Sequence, residues 1–179
     1  MLIGLCGYAG VGKDTAAVVL VEEFGYKRVA IADPIRDAII ALDPYVKEEA
    51  GFIRLSEMME RDGGWEAVKT NEEVRRLSQA MGTEVGRNIL SHDLWVQLAE
   101  RKLDDRTVVT DTRFPNEARL VRRHGGILVR IERPGFGPVN EHLSDRASEK
   151  WTYEHRINND STIEALHDKM RELVKTFKS

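Results

Sequence analysis

Gly7, Gly12 and Lys13 stand in the pattern G-x-x-x-x-G-K within "GLCGYAGVGKDT", residues 4–15. Glycines at that spacing let successive backbone N–H groups point inward at phosphate oxygens. A helix opening at the lysine adds the positive end of its dipole. Lys13 then reaches the β- and γ-phosphates as a point charge. The bland alternative is a glycine-rich turn with a solvated lysine. An apolar run before the loop and a helical pattern after it favour the phosphate cradle. Gly7, Ala9, Gly10, Val11, Gly12, Lys13, Asp14 and Thr15 are therefore candidates for gripping a nucleoside triphosphate.

Asp14 stands where a serine or threonine is usual. A carboxylate there can organise a magnesium ion, directly or through water, since Mg²⁺ takes oxygen ligands and keeps several waters. It can also simply favour a helix start by its charge, and the two roles are compatible. Thr15 offers a hydroxyl for the α-phosphate. In "VVTDTR", Asp111 is expected at the end of a buried strand, where a second magnesium-organising acid sits. Arg113 lies two residues on, on the same side of an extended chain. The pair suits a metal beside a second phosphate; the competing reading is a salt bridge at a strand end.

Arginines recur at expected strand ends and helix starts: Arg36, Arg75, Arg76, Arg87, Arg113, Arg133 and Arg146. Phosphoryl transfer needs cations around the migrating group and the acceptor, although any single arginine can equally be a solvated surface charge. Arg36 falls in a first helical turn, Arg87 after a tight "GTEVG" bend, and Arg133 and Arg146 flank a polar flap. Trp95 could stack on a base or belong to the core. His142 in the flap is the one histidine of interest; His92, His124, His155 and His167 show no metal-ligand spacing.

Alternating strands and helices must position these residues. Strands are expected at 2–6, 26–32, 106–113, 127–133 and, short, at 153–158. A largely buried helix is expected at 15–24. Another starts with Asp33 as cap and Pro34 in the first turn, presenting Ile35, Ala38, Ile39 and Leu42 as one apolar face. Residues 43–70 are charged and weakly periodic, and read as a surface insertion with some helix. A helix at 71–81 is capped by Asn71 and stopped by Gly82; others follow at about 91–103 and 115–124. A further helix, the final one of the chain, has a capping-box spacing at Ser161 and Glu164 and is expected to bury Ile163, Leu166, Met170 and Leu173. This order implies an α/β fold with a mostly parallel sheet covered on both faces, ligands lying at the carboxyl ends of the strands.

Composition sets bounds. The 179 residues, 41% hydrophobic and 32% charged, fit one globular domain. A formal charge of −3 argues against coating a nucleic acid polymer. The single cysteine, Cys6, lies in an apolar run and reads as a buried thiol in a reducing compartment. No apolar stretch approaches the roughly 20 residues of a membrane span, and no basic leader opens the chain; the expected location is cytoplasmic.

Taken together, "GYAGVGKDT", "IADPIRDAI", "LSQAMGTEVGR" with "HDLW", "VVTDTRFPNEA", "GGILVRIERPG" and "RINND" resemble the phage-type deoxynucleoside monophosphate kinases, across most of the chain outside 43–70. The resemblance implies a three-layer P-loop kinase fold with a five-stranded parallel core, an acceptor-binding region (43–105) and a lid (134–150) within one domain, 1–179. It implies phosphoryl transfer from ATP, with Mg²⁺, to a deoxynucleoside monophosphate, in the host cytoplasm if phage-encoded, by a monomer or homodimer. It assigns residues 7–15 to the donor phosphates and Asn158 to the donor adenine. Arg36, Gln79, Thr83, Arg87, Asp93 and Trp95 fall to the acceptor, Asp111 and Arg113 to the reaction centre, and Arg133, His142 and Arg146 to the lid. The acceptor phosphate is already a competent nucleophile, so Asp111 is read as an organiser of metal and water rather than a base. Alternatives are another small-molecule P-loop kinase, such as a dephospho-coenzyme A kinase, or a nucleotide-dependent switch or ATPase.

Overall fold

Four fully buried residues, Ile3–Cys6, form β1 at the centre of a five-stranded sheet in the computed structural model. The structure describes residues 1–137 and 151–177. In chain order, β1 is followed by α1 (Lys13–Glu22), β2 (Lys27–Val29), α2 (Asp33–Leu42), β3 (Tyr45–Glu48) and β4 (Gly51–Arg54). Then come α3 (Leu55–Asp62), α4 (Trp65–Val68), α5 (Glu72–Gln79), a π-helix (Ala80–Leu90) and α6 (Leu94–Glu100). The chain closes with β5 (Thr107–Val109), α7 (Pro115–Arg123), β6 (Ile127–Glu132), β7 (His155–Asn158) and α8 (Ile163–Thr176). It divides into two compact units, Met1–Ile31 with Ala99–Ser179, and Ala32–Leu98.

The first unit holds the sheet, ordered β2-β5-β1-β6-β7 with every pairing parallel. Such a sheet must be covered on both faces, and the residues of β1 alternate accordingly. Ile3 and Leu5 join a core with Ala16, Val19 and Leu20 of α1 and Leu166, Met170 and Leu173 of α8. Gly4 faces the other way, so close to Val121 of α7 and Leu128 that a Cβ there would come 2.9 Å from the valine. The strands expected at 26–32 and 106–113 are each only three residues long. Beyond Val29, the N–H of Ile31 donates to Asp111 Oδ1 at 2.8 Å, so a side chain takes over from the ladder. Asp111 thus lies two residues past the strand rather than at its end. No helix among the described residues is long and apolar enough to cross a membrane.

The second unit corrects the reading of 43–70 as a surface insertion. Val46, Leu55, Met58 and Val68 are buried with Ile39 and Val74 in a separate core. β3 and β4 pair as an antiparallel hairpin across residues 49–50. Asp43, at φ 45°, ends α2, and its carboxylate accepts from the Ser56 N–H at 2.7 Å in the first turn of α3. Leu42 does not extend the apolar face of α2; it is 64% exposed. Ala32, not Asp33, is the N-cap of α2, and the Asp33 carboxylate is spent on Arg36 at 3.0 Å. At α8 the cap is Thr162, accepting from the Ala165 N–H, rather than Ser161, and Ile163 is exposed.

Gly82 does not stop a helix. α5, capped by Asn71 as expected, runs on into the π-helix, whose end is marked by the Ser91 N–H donating to Gly86 O. The tight bend expected at "GTEVG" is therefore a wide helical turn. Trp95 supports it from outside: its Nε1–H donates to Gly82 O at 2.8 Å, and its ring lies where a Cβ on Gly86 would come within 2.3 Å. An alanine in a helix normally gains about 1 kcal/mol over glycine. Here overpacking outweighs that gain, and Gly86→Ala is expected to destabilise the protein by about 1–3 kcal/mol, read as a lowered urea midpoint with unchanged slope. An unchanged or raised midpoint would contradict this packing.

Candidate active site

Gly7, Gly10 and Gly12 take φ values of 136°, 78° and 97°, which bend the chain from β1 into α1 through a conformation only glycine holds cheaply. Gly12 is the N-cap of α1 and has no side chain to satisfy the orphan N–H groups of the first turn. N–H groups at a helix start that no side chain caps are the kind that suit an anion.

Lys13 is 8% exposed, and its Nζ is folded back over the loop, donating to Gly7 O at 2.9 Å and Tyr8 O at 2.8 Å. Its pKa is lowered to about 8, first by burial and then by the Arg113 guanidinium; Asp14 and Asp111 partly oppose the shift. Lys13, Asp14, Asp111 and Arg113 therefore form one electrostatic cluster. Asp14 is in the first turn of α1, well exposed, and lies 3.7 Å from Arg28. Thr15 is half-buried, and its carbonyl meets His167 Nε2 at 3.1 Å. The thiol of Cys6 is buried, as expected, with its pKa pushed up to about 12 by desolvation.

Residues that sequence reasoning did not single out support this cluster. Glu117, buried, accepts from the N–H groups of Arg113 at 2.7 Å and Phe114 at 3.0 Å, closing a capping box at the start of α7. "TRFPNEA" carried that signal in its Pro at the helix start and Glu three residues after Phe114. Arg130, buried in β6, stacks between the rings of Tyr8 and Tyr153, at 5.3 and 5.4 Å, and bonds Glu132 at 2.8 Å. The ring of Phe136 lies against Gly10 and under the Arg133 guanidinium, 4.9 Å away. Asn158 is exposed at the end of β7, its carbonyl taken by Lys169 Nζ at 2.6 Å. It is the neighbouring Asn159 that reaches the loop, donating to Val11 O at 3.0 Å.

The acceptor candidates belong to the second unit. Arg36 is held between Asp33 and Asp37, the hydrogen bond to Asp37 raising its pKa above the usual value. Gln79 is exposed at the end of α5 and borders an open cavity of about 1010 Å³ that Lys47 and Arg75 also line. Thr83 is exposed on the π-helix. Arg87 donates to His92 O at 3.4 Å, and His92 meets the Asp93 carboxylate at 3.2 Å. Trp95 is 3% exposed, so no ring face is open to a base here and packing is the role its geometry fulfils. His142 and Arg146, like most of the expected lid, lie outside the described residues.

Comparison with known proteins adds a lineage to this geometry. A protein of Acanthamoeba polyphaga mimivirus, assigned as a deoxynucleotide monophosphate kinase, is 29% identical over 95% of this chain and 94% of its own. The deoxynucleotide monophosphate kinase of Enterobacteria phage T4 is 26% identical over 89% of this chain and 68% of its own. Among solved structures, TT1252 from Thermus thermophilus matches with a TM-score of 0.54 at 15% identity, covering 98% of this chain and 97% of that one, which speaks for the fold. The family model for deoxynucleotide monophosphate kinase matches residues 52–170. It takes in Gln79 to Trp95 and Asp111 with Arg113, and the mimivirus relative extends the likeness over nearly the whole chain. The dephospho-coenzyme A kinase and switch alternatives are not favoured by these matches. With more than half its length matching one family model, on a parallel sheet whose central strand feeds a phosphate-cradling loop, the chain belongs to the deoxynucleotide monophosphate kinase family and is a P-loop nucleotide kinase.

Proposed function

We propose that the protein transfers the γ-phosphoryl group of ATP to a deoxynucleoside monophosphate, supplying diphosphates for DNA synthesis. An oxygen of the acceptor phosphate forms the new bond to γ-phosphorus as the bond to the bridging oxygen breaks, leaving ADP. The observation that carries this reading is the buried Lys13 ammonium, held on the loop's own carbonyls within electrostatic reach of Asp111 and Arg113. The N–H groups of residues 7–15 hold the donor phosphates, and Lys13 turns from the loop carbonyls to the β- and γ-oxygens. Arg113 neutralises charge on the migrating group and acceptor. Arg36, Gln79, Thr83, Arg87 and Asp93 orient the monophosphate, with Trp95 supporting them. Asn158 is assigned to the adenine. Arg133, with His142 and Arg146, serves a lid whose closure excludes water as a competing acceptor.

Asp14 and Asp111 would hold a magnesium ion. Two carboxylates, completed by substrate phosphates and water, are the donor set this ion accepts. No group of three or more His, Cys, Asp or Glu gathers among the described residues to hold a metal alone. Bound there, the ion neutralises charge on the phosphoryl oxygens. We read the protein as acting on free nucleotides in the cytoplasm, as a monomer or homodimer, without a nucleic acid polymer or membrane.

ADP release measured with each deoxynucleoside and ribonucleoside monophosphate in turn tests the reading. ATP consumption is expected to rise at least tenfold over background with at least one deoxynucleoside monophosphate, a margin of about 1.4 kcal/mol in barrier. ATP consumption indifferent to every acceptor would overturn it.

A further inference from the structure

We infer that Asn159 is a positioning residue for the donor phosphates, acting through the peptide plane between Val11 and Gly12. This rests on the reading of residues 7–15 as the triphosphate cradle. In a trans peptide the C=O of one residue and the N–H of the next point in opposite directions, and the chain has no cis bond among its described residues. Asn159 Nδ2 donates to Val11 O at 3.0 Å, across a separation of 148 residues. By holding that carbonyl outward it turns the Gly12 N–H the other way, into the loop, as one of the donors offered to phosphate oxygens.

The amide is itself held in place. The Asn159 N–H donates to Glu132 O at 2.7 Å, and the preceding Asn158 carbonyl is bonded by Lys169. Ile157 anchors the end of β7 in the core. Asn159 is also fitted to its target: a Cβ at position 12 would come 2.7 Å from Nδ2, and Gly12 has φ 97°. The amide occupies the space a side chain would take, so residues 12 and 159 form a matched pair. Without it, a peptide flanked by glycine is free to rotate, and the Gly12 N–H is lost from the cradle for part of the time.

Asn159→Leu keeps the branching and heavy-atom count of the side chain and removes the donor without adding charge; Asn159→Ala, which adds no bulk, repeats the test should the leucine variant not fold. The probes are ATP and inorganic tripolyphosphate, titrated into the full chain by calorimetry. Both are expected to bind about tenfold more weakly to the variant, because an unmet carbonyl and a misdirected N–H act on phosphates alone. The Gly12 amide resonance is expected to shift, and KM for the deoxynucleoside monophosphate to stay within about twofold. A merely structural role would lower the melting temperature without singling out the donor side. Loss of ATP affinity with tripolyphosphate unaffected would overturn the inference, since Asn159 would then contact the nucleoside. Unchanged affinity for both would overturn it equally. Failure of the parent protein to bind either probe would instead sink the donor-site reading, and this inference with it.

Discussion

Lys13→Ala is expected to lower kcat by about a thousandfold, the scale seen when a preorganised group aimed at developing charge is removed, while the fold survives. The ammonium lies where the strand, loop and helix all converge, and no other cation of the loop can stand in for it. The unliganded fold does not depend on that charge: burial and Arg113 press its pKa down to about 8, so holding the ammonium there costs stability rather than supplying it. The carbonyls of Gly7 and Tyr8 lose a donor in the variant, but both residues are part-exposed and water can replace it. A change in stability of no more than about 1 kcal/mol follows.

The same shift sets a pH dependence. Below about pH 8 Lys13 is protonated and competent in the free enzyme; above it the charge is lost. kcat/KM for ATP is therefore expected to be level below pH 8 and to fall about tenfold per unit above it. Lys13→Ala should lose that limb. The sign for stability is the reverse. The unfolded lysine titrates near 10.5 and the folded one near 8, so between those values the unfolded state binds more protons. This group's contribution then favours the fold as pH rises. A parent profile level to pH 9.5 would refute the attribution.

How far this could be read from residues alone depended on the range of the forces involved. The step from β1 through Gly7 and Gly12 into α1 is local, since backbone freedom, apolar run and helix start all lie within about twenty positions, and it was legible. So were the parallel sheet and the cap at Asn71. The hairpin at 45–54 was not: each strand has four residues, and charged neighbours mask Val46 and Ile53. Gly82 reads locally as a stop signal, but a hydrogen bond from Trp95 and the space its ring takes from Gly86 carry the helix onward as a π-helix. Asn158 and Asn159 are indistinguishable as letters. Which of them turns toward the loop depends on the parity of β7, whose Ile157 faces the core. Arg130 reads as a strand charge until Tyr8 and Tyr153 are seen on either side of it.

Asp111→Asn is expected to lower kcat by about a hundred- to a thousandfold with little loss of stability, and the contrast with Asp111→Ala makes the case. Asp111 does two jobs. One oxygen accepts from the Ile31 N–H at 2.8 Å, closing the gap where β2 and β5 part; its charge acts on Lys13 beside the loop. Asparagine keeps an acceptor of the same shape for Ile31 and removes only the charge, so the melting temperature should move by no more than a few degrees, corresponding to about 1 kcal/mol or less. Alanine removes both. It leaves a part-buried N–H unmet and should cost a further 1–3 kcal/mol or so of stability for no additional loss in rate. Were asparagine to retain a tenth or more of the parent kcat, with the Ile31 contact intact, Asp111 would be a structural acceptor and the charge at the centre of the reaction would have to come from elsewhere.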